Sequence, residues 1–459
     1  MKQTTTTDRT ILFGTDGIRG HADHFPFDDY TVMRIGYAIA LWAREKYAAE
    51  QPKLLIGMDT RISGPRIKQA LADGLLKAGA VVVDGGVIPT PAVCNLITAD
   101  KSFHAGVVIS ASHNPYFDNG IKVFDAQRCK LSKEDEERLV AVVNSGPLSH
   151  LFKAPFEELS KSGADIIEWP EAFSQYINNV LSHFPTPFLH GKKIIIDAAN
   201  GATGICAEIM FKTLGATVVM LNNYPDGINI NAGCGALHPE GLQAAVSAQG
   251  ADAGFAFDGD GDRIVAVSCD GSIKDGDDIL FLLLSLPRYQ PMDTLVGTVV
   301  SNQGLEVAIE QQGKRFVRTA VGDKYIAVAM EEANVLLGGE NSGHVILRDY
   351  LLTGDGIFVA ITLLQALTVS GNWEMRTFPK FPQTLVNIPV VQKKDLAQEP
   401  FASIIAAYQE RLGSGRLLVR YSGTESLLRV MAEATTADCA QSVAQAVALA
   451  LQEVLGSHS

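Results

Sequence analysis

The 459-residue chain carries 38 Lys and Arg against 51 Asp and Glu, a formal charge of −13, with 47% hydrophobic and 19% charged residues. That length asks for three or four cores at ~100–200 residues each, and the composition is that of a globular protein, not a disordered or fibrous one. The acidity argues against nucleic acid or an anionic membrane as partner, but a few local donors suffice to hold a small phosphorylated substrate.

Residues 1–10 are polar and lack the apolar stretch of a secretory signal. The densest apolar run, 279–286, is far short of the ~20 residues of a membrane span. Six cysteines, at 94, 129, 206, 234, 269 and 439, show no Cys-x-x-Cys spacing. Reduced thiols and a cytoplasmic location are therefore expected, without a zinc site.

In chain order, 53–57 reads as a buried strand and 59–64 as a polar loop. A helix with Ile67, Leu71 and Leu75 on one face follows, then Gly79 and a strand at 81–84. Next, a strand beginning at Gly106 ends in Ser110-Ala-Ser112-His113-Asn114-Pro115, and Gly120 turns the chain back toward Lys122. Ser112 there suits a nucleophile, with Lys122 or His113 assisting proton transfer. A plain turn explains the segment equally well, although the Gly-x-Ser-x-Gly of acyl-transfer serines is absent.

The strand–loop–helix–strand grammar returns at 193–221 and again at 294–320. Between them, two apolar runs flank Asp258-Gly-Asp260-Gly-Asp262-Arg263. Glycines allow tight turns that swing three carboxylates onto one point, and such a cluster calls for a hard cation, magnesium before calcium. An EF-hand fails, because Arg263 and Cys269 stand where glycine and glutamate are required. Gly338-Gly-Glu340-Asn-Ser342-Gly-His344 suits sugar hydroxyls, and Arg420-Tyr-Ser422-Gly423-Thr424-Glu425 suits a phosphate. Either alone could be a solvated glycine turn. A strand over 426–434 and a helix with Val443, Val447, Ala450 and Val454 on one face close the chain.

The expected fold is α/β: three similar mixed or parallel-sheet α/β domains plus a smaller C-terminal α+β domain. The expected domains are 1–155 with the serine loop, 156–252, 253–371 opening on the aspartate loop and holding the sugar loop, and 372–459 with the phosphate loop.

Together these segments resemble the α-D-phosphohexomutase superfamily over nearly the whole chain. The resemblance rests on Phe13-Gly-Thr-Asp-Gly-Ile-Arg19-Gly20, Asp59-Thr-Arg-Ile-Ser-Gly64, Ser110-Ala-Ser-His-Asn-Pro115 and Pro225-Asp-Gly-Ile-Asn-Ile-Asn231. The aspartate, Glu340–His344 and Arg420 segments complete it. The first and fourth of these point to the glucosamine branch, whereas glucose and mannose phosphate mutases share the rest.

The resemblance implies a phosphoryl group carried by Ser112 and one Mg2+ per chain held by Ser112, Asp258, Asp260 and Asp262. It implies a reaction centre lined by Arg19, His113, Lys122 and Arg263, with Lys122, then His344, as proton-transfer residues. Glu340 and Ser342 would grip sugar hydroxyls, with Lys324 nearby. Arg420, Ser422, Gly423, Thr424 and Arg429 would hold the non-reacting phosphate. The implied substrate is a phosphorylated hexosamine or hexose, activated by its 1,6-bisphosphate, and the implied assembly is a homodimer. Asn341, Lys324, Ser426 and Ala236 depart from the branch's usual residues. A sugar-phosphate binder without catalysis is the rival reading.

Overall fold

The computed structural model describes residues 10–11, 13–14, 17–127, 129–145, 165–422 and 427–455. These fall into two bodies, one within 1–292 and 320–376, the other within 293–319 and 377–459.

In the first body, one sheet runs in the order Ile18–His21, Asp118–Asp125, Ala105–Ile109, Lys53–Met58, Val81–Val87, Ile167–Glu168, with Cys129–Lys130 added to Asp118–Asp125. Lys53–Met58 is parallel to both Val81–Val87 and Ala105–Ile109. Parallel neighbours need crossover connections, which the helices Gly64–Lys77 and Thr90–Ala99 supply. Asp118–Asp125 returns antiparallel to Ala105–Ile109, so the serine loop closes a β-hairpin. Ile67, Leu71 and Leu75 all lie fully buried on Gly64–Lys77, as their spacing predicts. This helix packs on Asp29–Tyr47 so closely that a Cβ on Gly36 would stand 2.1 Å from Leu71 O, and one on Gly74 2.0 Å from Met33 O. Only glycine allows backbones to approach in this way.

A second sheet runs in the order Ile273–Lys274, Ile264–Ser268, Ala253–Phe257, Lys193–Asp197, Thr217–Leu221. Ala253–Phe257 is parallel to Lys193–Asp197 and antiparallel to Ile264–Ser268. The seam expected at 252/253 therefore falls inside this sheet, and the aspartate loop is its hairpin rather than the opening of a third domain. Period-2 and apolar-run patterns mark strands, but they do not say which sheet a strand joins. The hairpin of Leu337–Gly339 and Val345–Leu347 carries the sugar-type loop.

In the second body, Thr294–Thr298 and Arg315–Thr319 pair in parallel across the helix Gln303–Gln311, which matches the third repeat. The C-terminal sheet is antiparallel in the order Gln383–Pro389, Leu427–Glu433, Arg416–Tyr421. Leu428, Val430 and Ala432 alternate into a core with Val443, Val447 and Leu451 of the helix Ala437–Leu455. Leu451 therefore takes the inward place expected of Ala450. The expected boundary at 155/156 lies outside the described residues.

One expectation is corrected. Cys94 and Cys129, 35 residues apart, are joined as a disulfide with a Cα–Cα separation of 5.6 Å, within the usual range for a bridge. The fold brings a helix and a hairpin strand together, which spacing in sequence does not reveal. Cys206, Cys234, Cys269 and Cys439 are free thiols. Among the described residues no helix is long and apolar enough to cross a membrane.

Candidate active site

The first-sheet hairpin positions the serine. Ser110 Oγ donates to buried Asp59 Oδ2 at 2.6 Å and accepts the Ser112 N–H at 2.9 Å. Ser112 is 1% exposed and held at φ 54°. A non-glycine residue persists in that left-handed region only where its surroundings over-determine it. Ser112 Oγ donates to Asp258 Oδ2 at 2.5 Å, and His113 Nδ1 stands 3.3 Å away. A turn with solvated polar residues would not bury its serine against a carboxylate from another sheet.

The loop between Ala253–Phe257 and Ile264–Ser268 gathers Asp258, Asp260 and Asp262, all buried, with ligand oxygens within 4.8 Å of one another. Gly261 has φ +76°, and its Cβ position lies 2.3 Å from Thr203 Cγ2, so both turn and space demand glycine. Lys122 Nζ lies 2.8 Å from Asp260 Oδ2 and 2.8 Å from Asp262 Oδ2. Thr90 Oγ1 donates to Asp260 Oδ2 at 2.6 Å, and Asp258 Oδ1 accepts the Arg263 N–H at 3.0 Å. Asp260 Oδ1 and Asp262 Oδ1 are buried without a hydrogen bond. Two orphaned carboxylate oxygens beside a third carboxylate form a hard donor set that fits a divalent cation.

The local fields follow the same layout. Burial, then Asp262 and Asp260, push the Asp258 carboxyl well above the usual range. Burial would raise Asp262 too, but Lys122, His344 and Arg263 outweigh it and hold it well below. Burial and the Arg263 and Arg19 guanidiniums lower the His113 imidazole to about 4 against the pull of Asp262 and Asp260, so it is neutral near pH 7. Arg19 stands on Ile18–His21 with its Cα opposite Gly120, and its charge reaches the His113 ring.

Glu340 Oε1 accepts the Gly322 N–H at 2.9 Å, and Ser342 Oγ donates to Glu340 Oε2 at 2.9 Å. Glu340 lines a cavity of about 120 Å³ with Asp262, Arg263, Asp323 and His344. Burial would lower the His344 imidazole, but Asp262 and Asp323 outweigh it and raise its pKa. Its Nε2 accepts the Gly354 N–H at 3.0 Å, which puts the proton of the neutral ring on Nδ1, 3.8 Å from Asp262 Oδ1. Lys324 turns elsewhere. Its Nζ pairs with Glu136 at 3.3 Å, and it shares a small cavity with Lys122 and Lys130.

In the second body, the same antiparallel ladder carries two contrasting rungs. Arg416 stands opposite Glu433 and bonds it, with Nε 2.7 Å from Oε2. Four residues on, Arg420 stands opposite Arg429. Burial, then the charge of Arg429, lower the Arg420 pKa. Like charges facing across a ladder are destabilising, so this rung has the character of an anion site. Lys393 Nζ donates to Ser422 O at 3.1 Å and adds a third cation that sequence reading missed. Gly423 and Thr424 lie outside the described residues.

Three more residues carry the site without having been given a role. Thr90 holds Asp260, and Arg61 and Asn231 hold the serine loop through carbonyl oxygens. Arg61 and Asn231 belong to quoted segments, but a side chain bonding backbone leaves no pattern in sequence.

Comparison with known proteins follows the same division. The sequence matches four families described as phosphoglucomutase/phosphomannomutase: alpha/beta/alpha domain I over 10–149, domain II over 174–271, domain III over 275–378 and the C-terminal domain over 385–450. It is 40% identical to the phosphoglucosamine mutase of Acinetobacter baumannii over 446 residues, covering 96% of this chain and 98% of that protein. A phosphoglucomutase/phosphomannomutase family protein from Burkholderia thailandensis has a similar fold, with TM-score 0.77, 24% identity and coverage of 97% and 98%. Aspergillus fumigatus N-acetylphosphoglucosamine mutase, in complex with GlcNAc-6P and magnesium, has TM-score 0.67, 19% identity and coverage of 99% and 98%.

Proposed function

The chain belongs to the phosphoglucomutase/phosphomannomutase family, and from that premise we propose that it interconverts glucosamine 6-phosphate and glucosamine 1-phosphate, supplying amino-sugar and cell-wall precursors. The observation that carries this reading is the buried Ser112 Oγ at 2.5 Å from Asp258, inside a three-carboxylate cluster. The relative that is 40% identical supplies the choice of sugar.

Ser112 carries the phosphoryl group. Its P–O bond breaks as a bond forms to the C1 hydroxyl oxygen of the 6-phosphosugar, giving a 1,6-bisphosphate. That intermediate turns end for end and returns its 6-phosphoryl group to Ser112. The C1 hydroxyl proton passes to Lys122 acting as the free amine, with His344 as second candidate, and the same group returns a proton to the C6 oxygen when the 6-phosphoryl group leaves. Asp258, Asp260, Asp262 and the Ser112 phosphate would hold a Mg2+, which supplies charge neutralisation to the transferring group. Arg19 and Arg263 add fixed positive charge, and neutral His113 can accept a hydrogen bond without adding more. Glu340 and Ser342 grip sugar hydroxyls, while Lys324 would have to leave Glu136 to join them. Arg420, Ser422 and Arg429, with Gly423 and Thr424, hold the non-reacting phosphate. A trace of sugar 1,6-bisphosphate primes Ser112. The cytoplasm, where sugar phosphates are made, is the proposed location, and a homodimer the proposed assembly.

Phosphorus NMR tests the reading. The protein is mixed with Mg2+, a trace of 1,6-bisphosphate, and glucosamine, glucose or mannose 6-phosphate in turn. Fastest formation of glucosamine 1-phosphate is expected. Faster turnover of another sugar would keep the chemistry and replace the substrate. Free phosphate without any 1-phosphate would make the protein a phosphatase, and no reaction at all would make it a binder.

A further inference from the structure

Arg61 is 1% exposed, and all five of its N–H donors are engaged. Nε meets Asp59 Oδ2 at 2.8 Å, one Nη2 proton goes to Ser112 O at 2.9 Å and the other to Asn114 O at 2.8 Å. Nη1 serves Asp118 O at 3.0 Å and Pro115 O. From the loop that follows Thr217–Leu221, Asn231 Nδ2 reaches two of the same oxygens, Ser112 O at 2.9 Å and Asn114 O at 3.2 Å. Asn231 is itself fixed, with φ 58° and its N–H on Ala199 O at 2.9 Å. A Cβ on Gly259, between Asp258 and Asp260, would come within 2.8 Å of the same Nδ2.

Two donors, one from the loop after Lys53–Met58 and one from the loop after Thr217–Leu221, therefore converge on the carbonyls that flank His113, and one of them abuts the aspartate loop. Resting on the phosphoryl-transfer reading above, we propose that Arg61 and Asn231 are positioning residues. They hold the backbone of the serine loop from behind, keep Ser112 in its left-handed conformation, and set the distance between its Oγ and Asp258. Neither touches a sugar or a reacting atom in this scheme, so their loss acts on alignment rather than on substrate binding. A displacement of about 1 Å at a reacting centre costs on the order of 100-fold in rate.

The test compares wild type with Asn231→Ala, Asn231→Asp, Arg61→Lys and the Asn231→Ala/Arg61→Lys pair. Asn231→Asp keeps the shape but loses the donor. Each Asn231 variant is expected to lower kcat by ~10–100-fold with KM within about threefold. Arg61→Lys should cost at least as much, because an ammonium cannot reproduce the planar fork. The double variant should lose less than the product of the singles, since both act on the same two oxygens. Single-turnover phosphorylation of Ser112 by glucose 1,6-bisphosphate, followed by intact mass, should slow in parallel with kcat. Unchanged kcat in both Asn231 variants, or a loss confined to KM, overturns the proposal. If wild type neither turns over a sugar nor takes up phosphate, it is the functional reading that fails. Amide exchange then judges the clamp alone. Faster exchange in 110–118 in folded Asn231→Ala supports it, and unchanged exchange overturns it.

Discussion

Each body of the molecule concentrates charge of one sign, and the two do so differently. In the first, Asp258, Asp260 and Asp262 are buried together, and the protein already answers them with Lys122, Thr90 and the Arg263 amide. In the second, Arg420 and Arg429 face one another in register on a half-buried rung. The first arrangement suits a cation that stays through many turnovers. The second would suit an anion under the proposed function, since a negative charge between two guanidiniums offsets their repulsion.

The deepest break is to remove the proposed phosphoryl acceptor of the first body. Ser112→Ala should lower turnover by about 10⁴-fold or more while sugar-phosphate affinity, read by calorimetry, changes little. Preserved turnover would end the phosphoserine scheme. Metal removal tests the acidic side alone. Chelation should abolish turnover, and restoring Mg2+ to about 100 times its Kd should stabilise the first body by about 2.7 kcal/mol. Asp258→Ala should erase that thermal shift, and a shift surviving in the variant would place the cation elsewhere.

Breaking the basic side should have a smaller effect of mixed sign. Arg429→Leu removes a charge-assisted phosphate contact worth about 1.5–3 kcal/mol, so KM should rise ~10–100-fold. The same change relieves the facing guanidinium, so the ligand-free protein should gain a few tenths to about 1 kcal/mol. Steady-state kinetics and thermal unfolding of one sample read both. A loss in both would mean that Arg429 is a structural cation, as Arg416 is through Glu433.

What could be read from sequence follows the same contrast. The clustering of the three aspartates was legible because their spacing is local, whereas Ser112 and Lys122 were preferred as catalytic residues only through the family resemblance, since a plain turn explains their segment equally well. The apolar stripe of Ile67, Leu71 and Leu75 likewise gave its helix. The role of Arg61 was not legible, because its partners are mostly carbonyl oxygens more than 50 residues away. Nor could spacing show that Arg420 faces Arg429, which depends on the register of a hairpin. The 252/253 seam failed for a related reason: a strand's partner in parallel pairing lies across a crossover, 59 residues back in the case of Ala253 and Ile194.

A third kind of buried charge sharpens the comparison at its smallest scale. Asp355 is 2% exposed and is answered by hydroxyls rather than a cation: Tyr176 OH at 2.9 Å, Tyr350 OH at 3.1 Å and the Phe358 N–H at 3.0 Å. Burial outweighs these donors and lifts its carboxyl from 3.8 to about 6. The folded state therefore binds this proton more tightly than the unfolded chain. The resulting stability is complete below the unfolded value and disappears as pH rises through about 6. Between about pH 5 and pH 7 the wild type should lose roughly 1 kcal/mol from this one group. Asp355→Asn keeps the shape and cannot titrate, so its stability difference from wild type should shift in its own favour by that amount over the same interval. Thermal unfolding of the two proteins at matched pH measures it. A difference that stays flat from about pH 5 to pH 7 would mean that the tyrosine hydroxyls alone suffice to keep a buried carboxylate ionised.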